Sequence, residues 1–171
     1  MMTPILALDF ATSTGWAARD RYGMITYGAQ TFRLGRGESQ GMRFLRLRAW
    51  LQELSTLLRL RPNDGFAERP TYGPGLLAWE KPHHRGGAAT ELCVGMRTIA
   101  IAHAAAQRLD HTEVHTASLK MHATGKGNAG KAAMIIAAQK RWDLVVGVLR
   151  EDEADALCVL SWAADEIGSD L

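Results

Sequence analysis

The stretch that decides the fold is Thr3-Pro4-Ile5-Leu6-Ala7-Leu8-Asp9-Phe10-Ala11-Thr12-Ser13-Thr14-Gly15-Trp16-Ala17-Ala18. Its first half is a short apolar run that stops at a carboxylate, and its second half regains apolar character after a cluster of Thr and Ser. This reads as a strand, a tight turn at Gly15 and a second strand. Met24 to Leu34 continues as an alternating third strand, with Ile25, Tyr27 and Phe32 as its bulky members. The opening is therefore an antiparallel meander.

Downstream the period changes. Ser39 to Leu60 carries Met42, Leu45, Leu47, Trp50, Leu51, Leu54, Leu57 and Leu58 at helical spacing, and Pro62 with Asn63-Asp64-Gly65 stops it. After the Pro70 to Gly75 loop, Leu76 to Trp79 is a buried strand ending at Glu80-Lys81-Pro82, because the residue before a proline is pushed out of helical conformation. Ala88 to Leu109 reads as a long Ala-rich helix, Thr112 to Thr116 as a weaker strand, and Lys131 to Trp142 as a helix. A final helix runs from Asp152 or Glu153 to Ile167. The order βββαβαβαα describes an α/β domain with a mixed five-stranded sheet flanked by helices. At 171 residues the expectation is one domain over 1–171.

Apolar residues make up 47% and charged residues 22%, the balance of an ordinary folded protein. No apolar run reaches membrane-spanning length and the first is too short for a signal-peptide core, so a cytoplasmic protein with no membrane partner is expected. Cys93 and Cys158 lack metal-type spacing and sit in apolar helical patterns, which favours reduced, buried thiols.

Net charge is +2, but its segregation says more than its total. Lys81 to Arg141 holds nine Lys or Arg against three acids, Thr31 to Arg69 eight Arg against four acids, and Glu151 to Leu171 seven acids with no Lys or Arg. A basic surface attracts phosphates while a compact acidic cluster holds cations, a pairing that suits a metal-dependent nuclease. Two differently charged helical faces would give the same counts.

Four carboxylates fall at element boundaries, where sites are built: Asp9, Glu80, Asp152 and Asp155. If the first and fourth strands are neighbours, Asp9 and Glu80 lie side by side, and Asp152 and Asp155 share one helix face. Four ionised carboxylates repel unless divalent cations neutralise them, and an all-oxygen set without a His or Cys cluster favours Mg²⁺ or Mn²⁺ over zinc. The alternative stands beside it: Asp9 ends a strand in a turn, while Asp152 and Asp155 are a helix N-cap and a first-turn acid. Glu151, Glu153, Asp165, Glu166 and Asp170 read as solvated surface charges.

Taken together, these segments resemble the RuvC family of Holliday-junction resolvases, nucleases of ribonuclease H-like fold. Leu6 to Ala17 looks like the family's first strand, catalytic aspartate and turn, and Ala78-Trp79-Glu80 like its glutamate strand. Ser118-Leu119-Lys120 through Thr124-Gly125-Lys126-Gly127-Asn128-Ala129-Gly130-Lys131 to Met134 is similar to its basic glycine-containing segment, and Asp152-Glu153-Ala154-Asp155-Ala156-Leu157 to its closing pair of aspartates.

The resemblance implies metal-dependent phosphodiester hydrolysis in branched DNA by a homodimer that nicks two symmetry-related strands, in the cytoplasm of a bacterium or phage-infected cell. It assigns Asp9, Glu80, Asp152 and Asp155 to two Mg²⁺ ions, for which Mn²⁺ can substitute, and Lys120 and Lys131 to phosphates. Lys81, His83 and Arg85 become candidate DNA contacts. One departure is plain: where family members often carry a base-stacking aromatic residue after the glutamate, Lys81-Pro82-His83-His84-Arg85 follows here, which leaves open a wider range of forks and flaps as substrates.

Rival readings are fewer. Gly125-Lys126-Gly127-Asn128-Ala129-Gly130-Lys131-Ala132 nearly spells a P-loop, but Ala132 lacks the Mg²⁺-binding hydroxyl, and the preceding segment with two His and a Lys is no apolar strand, so no nucleotide cofactor is expected. An actin-like kinase needs a second phosphate-binding domain. A non-catalytic DNA-binding module remains, and Arg43, Arg46 and Arg48 of the long helix serve either DNA contact or solubility.

Overall fold

A computed structural model describes residues 2–58, 60, 75–82, 86–144 and 149–169. Among these residues five strands and five helices follow one another: β1 (Ile5–Asp9), β2 (Ser13–Arg19), β3 (Ile25–Thr31), α1 (Gln40–Leu57), β4 (Leu76–Glu80), α2 (Ala88–Gln107), β5 (Asp110–Val114), α3 (Thr116–Thr124), α4 (Lys131–Trp142) and α5 (Glu151–Ser169). The strands form one mixed sheet in the order β3-β2-β1-β4-β5. β1 pairs antiparallel with β2 and parallel with β4, and β4 runs parallel to β5.

β1 sits at the centre, which explains why Ile5 to Leu8 are all apolar and all fully buried: a strand covered on both faces has no solvent side to mark with polar residues. Its side chains alternate between two cores. Ile5 and Ala7, with Ala17 and Ala78, face Ala154, Leu157 and Leu160 of α5. Leu6 and Leu8, with Leu77 and Trp79, face Leu47 and Leu51 of α1 and Met96 and Ala100 of α2. The small residues lie under α5, so that helix packs close to the sheet, while the bulky ones fill the layer beneath α1 and α2.

Three expectations need correction. Gly15 is not in the turn; it lies inside β2, opposite Asp9 of β1 and Ala29 of β3. The reversal is made by Phe10 to Thr12, closed by the Thr14 hydroxyl donating to the Ala11 carbonyl at 2.8 Å. Gly15 is required for a different reason. A Cβ there would stand 1.8 Å from the backbone oxygen of Asp152, so the bare glycine is what admits the first turn of α5 onto β2.

β5 is shifted two residues toward the N-terminus, to Asp110–Val114, because α2 ends at Gln107 on a left-handed Arg108 (φ 55°). As an edge strand it needs only pairing with β4, from Leu76↔Asp110 to Glu80↔Val114, and little apolar content of its own. The helix α3 is the element the periodicity does not reveal: its nine residues bury only Leu119, too little to give a recognisable apolar stripe. It stops on Gly125 at φ 74°, a left-handed C-cap that favours glycine. This also excludes P-loop geometry, because a helix rather than a strand feeds the glycine segment. The expected stop at Pro62 and Asn63-Asp64-Gly65, the Pro70 to Pro74 stretch, His83, His84 and Arg85 lie outside the described residues.

Both cysteines are free. Cys158 is buried, and burial pushes its thiol up to about 12, with Asp155 adding to the effect. Cys93 is only half-buried, and its thiol is also raised, first by burial and then by Asp9 and Glu80. In the native protein at pH 8, DTNB should therefore modify Cys93 slowly and Cys158 only after unfolding. Rapid stoichiometric reaction of two thiols in the folded protein would contradict this packing.

Candidate functional site

β1 and β4 are parallel neighbours paired from Ile5↔Leu76 to Leu8↔Trp79, and the next residue on each is an acid. Asp9 and Glu80 thus emerge side by side from the same end of the sheet. Both line a cleft of about 210 Å³ with Phe10, Lys81, Pro82, Ala89, Thr90 and Cys93. The Cys93 thiol donates to the Phe10 carbonyl at 3.0 Å, tying α2 to the end of β1. Nothing in the sequence pattern marks Cys93 as part of this cleft.

The other two acids arrive from α5. Its first residue is Glu151, so Asp152 is not the N-cap; it lies within the first turn. Capping falls to Glu153, whose Oε2 accepts from the backbone N–H of Arg150 at 3.0 Å. Asp152 instead turns toward β2, accepting from the Ser13 hydroxyl at 2.7 Å and from Arg150 at 3.2 Å. Asp155, one helical turn on, lies on the same face.

Electrostatics ties the other three acids to Asp9. The Asp9 carboxyl is raised from 3.8 to about 7, first by burial and then by the charges of Asp155, Glu80 and Asp152. That of Asp155 is raised to about 6 by burial, Glu80 and Glu151, against the opposing pull of Lys120 and Lys131. Two candidate lysines therefore also stand near the acids. Lys131 opens α4 and pairs with Glu151 at 2.5 Å; Lys120 lies on α3. Lys81 is held less directly, 3.7 Å from Glu113, which also bonds Arg97 at 2.6 Å and Trp79 Nε1 at 3.3 Å.

Among the described residues no three His, Cys, Asp or Glu side chains already form a group able to hold a metal ion. The acids share one end of the sheet without closing around a point, as expected of like charges. The fit to a hard divalent cation rests on donor chemistry: carboxylate oxygens with surplus negative charge that burial keeps from being screened.

Some residues assigned to solvent or DNA have structural partners instead. Arg43 donates to the Phe32 carbonyl at 2.6 Å, and Arg46 bonds Glu38 and the Arg33 carbonyl, so both secure the connection from β3 into α1. Asp165 is likewise engaged, with Arg141 at 3.0 Å and His122 at 3.0 Å, which fastens α3 and α4 to α5. Among the described residues no helix is long and apolar enough to cross a membrane.

No protein-family model matches the sequence, and comparison with curated proteins finds no match. Solved structures do match. RuvC from Thermus thermophilus superposes with a TM-score of 0.72 at 16% identity, covering 97% of this chain and 97% of that one. T. thermophilus RuvC in complex with a Holliday junction substrate gives 0.75 at 15% identity, covering 98% and 97%. With this sheet order and five flanking helices, the likeness over nearly the whole of both chains establishes that this chain has the ribonuclease H-like fold of RuvC.

Proposed function

We propose that this chain is a RuvC-type endonuclease that resolves four-way DNA junctions by divalent-metal-dependent hydrolysis of phosphodiesters, acting as a homodimer that makes paired nicks. What supports the proposal is that Asp9, Glu80, Asp152 and Asp155, from three separate elements, share one end of the sheet near Lys120 and Lys131. A carboxylate raised to about 7 by burial among its fellow acids is an arrangement that folding alone does not favour, and a cation-binding function accounts for it.

Asp9, Glu80 and Asp155 would be the principal ligands of Mg²⁺ or Mn²⁺, two ions per site being expected, with Asp152 assisting. When bound, the ions would supply an activated water and charge neutralisation at the leaving oxygen. Lys120 and Lys131 contact the scissile or neighbouring phosphates, Lys131 exchanging its partner Glu151 for a phosphate when DNA arrives. Lys81, with His83 and Arg85, lies next in sequence to Glu80 and is suited to backbone or base contact near the branch point. The T. thermophilus RuvC structure with a Holliday junction supports this choice of substrate by likeness of fold.

The test is cleavage of a mobile four-way junction beside linear duplex of the same sequence, in Mg²⁺, Mn²⁺ or EDTA. Paired symmetric nicks confined to the junction and lost in EDTA are expected. Binding without cutting in every metal would overturn the nuclease reading and leave a DNA-binding module. Equal cutting of linear duplex would keep the chemistry and discard the junction selectivity, while cutting of forks and flaps alongside junctions would widen the substrate to branched DNA in general.

A further inference from the structure

The four acids are held in two different ways. Among the described residues, Asp9 and Asp155 accept no side-chain hydrogen bond, and burial with the neighbouring charges governs them. Glu80 and Asp152 are each met by a hydroxyl: Ser13 donates to Asp152 Oδ2 at 2.7 Å, and Thr116 donates to Glu80 Oε1. The Thr116 contact joins elements in a definite way. Glu80 ends β4 opposite Val114, the last residue of β5, and Thr116 opens α3 two residues later. Lys120 is one helical turn along α3 from Thr116, hence on the same face, and its charge pulls on Asp155.

Glutamate has three rotatable side-chain bonds and, at the end of a strand beside Asp9, is repelled by its neighbour. Recruiting a cation carries the cost of ordering that side chain against this repulsion. A hydroxyl donor lowers that cost, as hydrogen-bond partners behind metal ligands commonly do.

We propose that Thr116 is a positioning residue, whose hydroxyl holds the Glu80 carboxylate at the shared end of the sheet and couples its placement to the α3 face that carries Lys120. This rests on the metal-dependent reading of the site. It predicts that the hydroxyl, rather than the β-branched shape of threonine, is what matters.

The experiment is titration of Mn²⁺ into the 171-residue protein by calorimetry, with Thr116→Val, which keeps the shape, and Thr116→Ser, which keeps the hydroxyl. Thr116→Val should bind Mn²⁺ about tenfold more weakly, and Thr116→Ser within about twofold of wild type. In parallel, the Mg²⁺ concentration giving half-maximal junction cleavage should rise in Thr116→Val while the rate at saturating Mg²⁺ changes less. The metal-free unfolding midpoint of Thr116→Val should stay near that of the wild type; Thr116→Ala takes its place if the valine variant does not fold. Unchanged Mn²⁺ affinity in the variant lacking the hydroxyl overturns the proposal, and so does a Thr116→Ser affinity as weak as that of Thr116→Val. Absence of Mn²⁺ binding by the wild type overturns the metal-dependent reading itself, a result distinct from the other two.

Discussion

Asp9→Asn is expected to lose junction cleavage by about a thousandfold or more, the scale of removing one electrostatic element from a preorganised site, while junction binding is kept or tightened. The second half follows from charge: removing one negative charge from the acidic end reduces its repulsion of the phosphate backbone. The same substitution should stabilise the metal-free protein. The Asp9 carboxyl titrates at about 7 in the folded chain against an ordinary 3.8. Between those values the folded state binds the proton more tightly than the unfolded state does, so this group's contribution falls as pH rises from about 4 to about 7 and is flat above. Asp155, raised to about 6, acts in the same direction.

At pH 8 without metal, Asp9→Asn should thus gain on the order of 2 to 4 kcal/mol, since each pH unit separating folded from unfolded titration corresponds to about 1.4 kcal/mol. The gain should vanish near pH 4, where protonation removes the charge from the folded aspartate. Mg²⁺ should raise the melting temperature of the wild type and do little for the variant, which lacks one of the proposed ligands. Thermal melts of both proteins at pH 4 and pH 8, with Mg²⁺ or EDTA, read all of this directly. A variant that still cuts junctions would remove Asp9 from the chemistry, and a wild type indifferent to both pH and Mg²⁺ would remove the acidic cluster as a metal site.

Gly15→Ala carries the second large effect. The added methyl would meet the Asp152 carbonyl oxygen at 1.8 Å and its carbon at 2.3 Å, both backbone atoms that no rotamer change can move. Either α5 lifts from β2 or β2 bends away from β1 and β3, its two partners at this position. Overpacking of this kind costs up to about 3 kcal/mol when side chains can yield, and here the backbone must yield instead. A loss of about 3 kcal/mol or more, or roughly 6–12 °C in melting temperature for a chain of this size, is expected.

Activity should fall further than stability, because lifting the first turn of α5 separates Asp152 and Asp155 from Asp9 and Glu80, and a displacement of about 1 Å typically costs about a hundredfold in rate. Circular dichroism melts and junction cleavage on the same preparation separate the two effects. If Gly15→Ala melted and cut like the wild type, the close approach of α5 to β2 would be wrong.

The acids Asp9 and Glu80 are legible in the sequence because a continuous apolar run that halts at a carboxylate marks the end of a buried strand, and a buried strand's end is open to solvent on one side only. The helices α1, α2, α4 and α5 are legible within a few residues from 3.6-residue periodicity and from the glycine, proline and acidic signals at their ends. α3 is not, since a nine-residue helix that buries one leucine leaves almost no periodic trace. The role of Gly15 is hidden for a related reason. A glycine between two strand-like runs reads as a turn, and only the packing of a helix from the far end of the chain shows that it admits a neighbour instead.

What the sequence determined by itself is therefore the α/β alternation, the burial of β1 and the placing of the four acids at element ends, because burial, period and charge are local properties of the chain. The tertiary structure alone decided that the acids share one end of the sheet, that Glu153 rather than Asp152 caps α5, that Cys93 lines the cleft, and that Ser13 and Thr116 reach Asp152 and Glu80. Each of these contacts joins segments far apart in the chain or depends on where a helix begins. Their existence follows from sheet order and from the small residues beneath α5, which no window of sequence contains.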